Sequence, residues 1–261
     1  MSKKIFITEN QYNELRTVLS ESRTLVDNFD MIGDMINLSD PDKFYFVQLK
    51  KRWKDNSDKG MVKKTDGTYH GGAEMGNFQS GTAFKVHSKD ELMALKPKIV
   101  QLCDQMNARA YISSNPRSES AINNFLPTFL NNQARRNHGR VPQHDRLYGF
   151  EHLAGQQKAD LANFPDRVRF FFDIDTKDKR IWDATKDILQ KYNCPIEKEY
   201  STPSGGLHIV VGDRTQIQNL DGLIDALRVF DGYVNKGRNQ TVHANFDGHL
   251  ILYSNVDTKG Y

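Results

Sequence analysis

Apolar positions first recur at helical spacing near the N-terminus, at Leu15, Val18, Leu19, Leu25 and Val26, after the capping-box pattern Thr8-Glu9-Asn10-Gln11. Two helices are expected to about Ile36. The spacing then changes: KFYFVQLKKRW reads as a strand, and a polar, Gly-rich stretch from Lys54 to Gly81 reads as a long loop or hairpin. From Thr82 the pattern becomes regular. TAFKVHS predicts a strand and Ser88-Lys89-Asp90-Glu91 caps a helix to about Met106; ARAYISS predicts a second strand and Ser118 to Arg136 a second helix.

After an irregular segment from His138 to Pro165, the period switches repeatedly between two and 3.6. VRFFFDID is a strand, KRIWDATKDILQKY a helix, IEKEYST and GLHIVVG strands, TQIQNLDGLIDALRVF a helix and QTVHANF a strand. HLILYSN, after the turn residues Asp247-Gly248, is expected to add a final hairpin strand. The order β-α-β-β-α-β is the split arrangement shared by ferredoxin-like and RNA-recognition folds and by polymerase palms. The expected class is α+β. The expected blocks are N-terminal helices, strand and loop over 1–81, an αβ module over 82–137, a connection over 138–166 and a palm-like module over 167–261.

Composition narrows the context. At 261 residues, 38% hydrophobic and 26% charged, the chain has an ordinary globular balance. Its two cysteines, Cys103 and Cys194, lack metal-ligand spacing, which argues against a disulfide framework or zinc site. No window approaches the roughly 18 apolar residues of a membrane helix, so the expectation is a soluble, cytoplasmic protein, in the host cytoplasm if phage-encoded. The net charge of +3 permits a nucleic-acid partner without arguing for one. Its distribution says more: QARRNHGRVPQHDR gathers Arg135, Arg136, Arg140 and Arg146 against Asp145, as either a solvated loop or a phosphate-contacting patch.

Two constellations could carry chemistry. In VRFFFDIDTKD, Asp173 and Asp175 lie two apart and share a face near a strand end, with Ile174 turned inward between them. Carboxylates this close repel unless a cation lies between them, and Mg2+ or Mn2+ held by oxygen ligands and substrate phosphates would relieve the repulsion. The competing reading is an acidic turn in which Asp175 or Asp178 caps the next helix. The second constellation is YSTPSGGLHIVVG, where Thr202, Pro203, Ser204, Gly205 and Gly206 form a turn before the strand carrying His208. Glycines there would let backbone N–H groups approach a phosphate; the plain alternative is a tight hairpin with a core histidine.

An acid pair on one strand, a small-x-His motif on another and a later acid together resemble the archaeo-eukaryotic primase superfamily, the primase-polymerases, over roughly Thr82 to Ser254. The resemblance implies that Asp173 and Asp175 bind metal and that Gly206-Leu207-His208 contacts the incoming nucleoside triphosphate. It also implies a third acid, best matched by Asp247 and next by Asp257. Ser204, Gly206, His208, Lys236 and Arg238 would then bind nucleotide, while Arg109, Arg117, Arg135, Arg136 and Arg140 would meet a DNA or RNA template or primer. Chemistry of this kind joins nucleotides to a 3′-hydroxyl by two-metal catalysis with Mg2+ or Mn2+. The same residues also suit an inactive, palm-derived nucleic-acid-binding or anti-host regulatory protein. Haloacid-dehalogenase phosphatases are disfavoured, because their acid pair sits near the chain start and Lys177 replaces the usual Thr or Val. Polymerase-β-type transferases place their glycines before the acid pair rather than after it. The sequence is silent on oligomeric state.

Overall fold

The computed structural model describes residues 25–50, 83–136, 150–151, 153–154, 169–212, 216–235, 241–245 and 248–256. They form an α+β fold of two antiparallel sheets. The first sheet has six strands: β1 (Val26–Asp27), β2 (Lys43–Lys50), β3 (Ala83–Val86), β4 (Arg109–Ser113), β5 (Arg117–Ser118) and β10 (His249–Ser254). Their order is β1-β10-β4-β2-β3, with β5 paired to β2. The second sheet comprises β6 (Phe170–Ile174), β7 (Ile196–Ser201), β8 (Leu207–Val211) and β9 (Val242–Asn245), ordered β7-β8-β6-β9. The helices are α1 (Phe29–Gly33), α2 (Lys89–Met106), α3 (Glu119–Arg136), α4 (Lys179–Lys191) and α5 (Leu220–Asn235).

Local chemistry sets most boundaries. Ser88 caps α2 by accepting a hydrogen bond from the Glu91 N–H at 3.1 Å, and the Glu91 carboxylate reaches back to the His87 N–H. Asp178 caps α4 by accepting from the Arg180 N–H, so capping falls to Asp178 and not to Asp175. The helix expected from Thr215 begins at Leu220, where the Asn219 side chain accepts from the Gly222 N–H.

Two expectations are corrected. Leu25-Val26, expected to be helical, leads instead into the short strand β1, because Val26 and Asp27 pair with Ser254 and Tyr253. Strand pairing with the distant end of the chain overrides the local helical pattern. The expected hairpin of β9 and β10 does not form either. β10 crosses to the first sheet and lies between β1 and β4. All six β10 residues are buried, whereas β9 buries only Val242, so β10 needs a position covered on both faces.

The second sheet is layered by alternation. Phe170, Phe172 and Ile174 pack with Leu207, Ile209 and Val211 against Ile181, Leu189, Leu223 and Leu227 of α4 and α5. Phe171, Tyr200 and Val210, on the opposite face, join Val47, Ile112 and Leu250 of the first sheet in a shared apolar cluster. Asn115 ties the sheets together at one end, donating to the Arg169 carbonyl at 2.8 Å and accepting from the Arg169 N–H at 2.6 Å. Arg169 continues the link, donating to the Tyr45 hydroxyl and to Glu197 at 2.6 and 2.7 Å.

His249 of β10 is buried, and its Nε2 has no hydrogen-bond partner among the described residues. Burial, then the charges of Lys50 and Arg117, hold its pKa well below 6.5. Below pH 6.5 the unfolded chain takes up a proton that the folded chain refuses, so His249 stabilises the fold above that pH and its contribution is lost as pH falls. The slope reaches about 1.4 kcal/mol per pH unit. Urea midpoints at pH 7.5 and 5.0 are expected to differ less in His249→Leu than in wild type; an unchanged difference would assign the acid sensitivity to other groups.

Candidate functional site

The register of the second sheet brings Asp173 together with two histidines. Asp173 on β6 lies directly opposite His208 on β8 and His243 on β9. Opposed residues of antiparallel strands project to the same face, here the face turned away from α4 and α5. Alternation puts Asp175 on that face as well, and its N–H donates to the Thr241 carbonyl at 2.8 Å. His208 Nε2 lies 3.1 Å from Asp173 Oδ1, and His243 Nε2 lies 3.9 Å from Asp175 Oδ2.

His208 is buried between Phe171 and Tyr200, with ring centroids 4.9 and 5.2 Å away. Its Nδ1 is 3.0 Å from the Tyr200 hydroxyl, which also bonds to the Ile251 backbone of the first sheet. Burial raises the Tyr200 pKa well above 10 and keeps the hydroxyl protonated; the Ile251 bond acts in the opposite sense, as a donating N–H does. The hydroxyl proton therefore goes to His208 Nδ1. This assigns the ring hydrogen to Nε2, which faces Asp173 Oδ1 at 3.1 Å. Tyr200 is thus hydrogen-bonded to His208, whose other ring nitrogen stands against Asp173 as a charge contact. Tyr200→Phe leaves the buried Nδ1 and the Ile251 N–H without their partner, a loss of about 2 kcal/mol. The thermal midpoint is expected to fall by roughly 4–8 °C; a variant melting with wild type would show that the hydroxyl contributes nothing.

The glycine turn is built from its own hydrogen bonds. The Gly205 N–H donates to the Thr202 carbonyl and the Gly206 N–H to Thr202 Oγ1, at 2.9 and 3.0 Å; Ser204 Oγ lies 3.0 Å from Thr202 Oγ1. Gly205 adopts φ +82°, a left-handed conformation suited to glycine. Gly206 passes so near β6 that a Cβ would stand 2.3 Å from the Ile174 carbonyl oxygen. Both glycine N–H groups are thus used inside the turn, which explains Gly-Gly without a bound phosphate.

Arg109 and Arg117 are buried, exposing 2% and 1% of their surface. Arg117 donates through Nε to the Ala154 carbonyl at 3.0 Å. Arg135 and Arg136 end α3, and nothing of their side chains is described. Arg140, Lys236, Arg238, Asp247 and Asp257 lie outside the described residues.

Sequence reasoning missed His243, Tyr200 and Asp231. His243 had a weak signal, being the polar member of Val242-His243-Ala244 on a strand expected beside β6. Asp231, a buried residue of α5, accepts from the Thr241 and Val242 N–H groups at 2.7 and 2.9 Å, and so positions the strand that carries His243.

The donor set is two carboxylates and an imidazole nitrogen on adjoining strands, with a second imidazole holding one carboxylate in place. That chemistry fits a divalent cation. In the present arrangement each carboxylate faces a histidine, and among the described residues no three His, Cys, Asp or Glu side chains converge on one point. No described helix is long and apolar enough to cross a membrane.

The fold and site thus define an α+β protein with an acid–histidine cluster on a sheet face. Comparison with protein-family models, curated proteins and solved structures finds no match for the chain.

Proposed function

We propose that the chain is a primase-polymerase-like nucleotidyltransferase that adds nucleotides from ribo- or deoxyribonucleoside triphosphates to a nucleic-acid 3′-hydroxyl. Its second sheet, with α4 and α5, would serve as the palm-like βαββαβ module. One observation carries the reading: Asp173 stands in register with His208, with Asp175 on the same face at the end of a central strand. The strand order β7-β8-β6-β9 supports it, because it is the order two interlocked β-α-β crossovers produce.

Asp173 and Asp175 would hold Mg2+ or Mn2+. When bound, such ions supply charge stabilisation for the attacking and leaving oxygens. Tyr200 and His208 fix the orientation of Asp173, so the carboxylate is set before substrate arrives. Lys236 and Arg238 would offset triphosphate charge, and Asp247 or Asp257 would supply a further carboxylate. Arg135, Arg136 and Arg140 would meet the template or primer.

A second reading draws on particular contacts: both His208 ring nitrogens and both glycine N–H groups have protein partners, and the β9 residue opposite Asp173 is a histidine. These suit a palm-derived nucleic-acid-binding or regulatory protein without catalysis. Primer extension by the wild-type chain on a primed template, with each nucleoside triphosphate set and with Mg2+ or Mn2+, separates the two. Extension supports the transferase; primed-template binding without extension under any combination supports the binding protein.

A further inference from the structure

The edge of the second sheet holds a cavity that the acid–histidine face does not use. It lies between α5 and β9, has a volume of about 310 Å3, and is walled by Phe172 of β6, Ile224 and Leu227 of α5, and Val242 and Ala244 of β9. That volume stands at the lower end of the range for small-ligand sites, about 300–1,000 Å3. We propose that this cavity binds the base of a nucleotide against the backbone edge of Ala244. Phe172 and Ala244 alternate with Asp173 and His243, so the cavity belongs to the helix-packed face, and the proposal stands whether or not the acid face holds metal.

Alternation along β9 decides which backbone groups meet the cavity. The Thr241 carbonyl accepts from the Asp175 N–H on the β6 side, whereas the Val242 N–H donates to Asp231 of α5. In an antiparallel pair, successive residues turn their N–H and C=O groups alternately toward the partner and away from it. His243 therefore bonds toward β6, and Ala244 turns both its N–H and its C=O outward. β9 ends the strand order β7-β8-β6-β9, so among the described residues these two groups lie on the edge of the sheet.

Ligand chemistry follows from that edge and from the walls. A donor and an acceptor side by side match the adjoining acceptor and donor on the rim of a nucleobase, such as a ring nitrogen beside an amino group. The flat apolar faces of the ring suit Phe172, Ile224 and Leu227, and the small Ala244 side chain leaves room for it. Arg228 is the one lining residue with a permanent charge; its side chain is 71% exposed and lies 3.4 Å from Asp225, an exposed pair of little strength. A cation there favours the phosphate of a nucleotide. An extended peptide fits less well, because continued pairing along β9 would require the Val242 N–H, which Asp231 holds.

The test uses the full chain without metal, with binding followed by calorimetry. Adenosine 5′-monophosphate is expected to bind saturably, and ribose 5-phosphate, which lacks the base, at least about tenfold more weakly. Ala244→Leu should weaken adenosine 5′-monophosphate at least about tenfold by filling the cavity. Arg228→Glu, a change on the exposed surface that serves if the leucine variant does not fold by circular dichroism, should weaken adenosine 5′-monophosphate about tenfold and adenosine less than about twofold. Asp173→Asn should bind as wild type does. The proposal is overturned if adenosine 5′-monophosphate does not bind, if ribose 5-phosphate binds equally well, or if the folded variants at Ala244 and Arg228 bind it as tightly as wild type. Loss of binding in Asp173→Asn would put the nucleotide on the acid face and overturn it too.

Discussion

Asp173→Asn is expected to abolish nucleotide addition, lowering primer extension by about three orders of magnitude, or ~4 kcal/mol of transition-state stabilisation. Asparagine keeps the shape of the side chain and an oxygen facing His208, so the Tyr200–His208 hydrogen bond is preserved. What it removes is the negative charge. Asp173 carries the reading because it is held from one side by His208 at 3.1 Å and lies opposite His243 on the other strand. Thermal melting should show a fold close to wild type, so the loss is read as chemistry. Extension at wild-type rate in the purified variant would place catalysis elsewhere in the chain.

Gly206→Ala should produce the largest stability loss of any change in the glycine turn, about 3 kcal/mol, with the thermal midpoint lowered by roughly 6–12 °C. The added Cβ would stand 2.3 Å from the Ile174 carbonyl oxygen and 3.1 Å from Thr202 Oγ1. Neither neighbour yields easily. The Ile174 carbonyl accepts from the Thr176 N–H, and Ile174 pairs with Leu207, the residue after the glycine. Relief would require β6 and β8 to part at the end that holds Asp173. Gly205→Ala is expected to cost less, since its Cβ meets only the flexible Lys177 side chain, although its positive φ adds strain. Chemical denaturation of both variants checks the order. A Gly206→Ala protein as stable as wild type but unable to bind nucleoside triphosphate would return the turn to a phosphate-contacting role.

Much of this was legible in the sequence because period and side-chain chemistry coincide. The run Phe170-Phe171-Phe172-Asp173-Ile174 forms a strand whichever face is buried, and Asp173 and Asp175 share a face by simple alternation. Ser88 and Glu91 announce the start of α2 by a hydrogen-bond pattern that needs no tertiary partner. The candidate site was legible only in part. His208 could be placed on a strand next to Asp173, but nothing local tells that Tyr200 would occupy its other nitrogen, because that contact runs across strands. Arg109 and Arg117 read as surface cations by type and are buried in the fold, and the Arg117 Nε bond to the Ala154 carbonyl is a contact that sequence spacing does not encode.

The last strand marks the division most clearly. Its apolar run declared a strand, and the Asp247-Gly248 pair before it matched a hairpin turn, a local preference. Which sheet it joins was decided by burial: a strand apolar on both faces gains more between β1 and β4 than at the edge beside β9. By itself the sequence determined the β-α-β-β-α-β order of the second half and the shared face of Asp173 and Asp175, since both follow from local periodicity. The tertiary structure alone decided that His243 stands opposite Asp173 and that Tyr200 locks His208, because strand register and the packing of one sheet on another are properties of residues far apart in the chain.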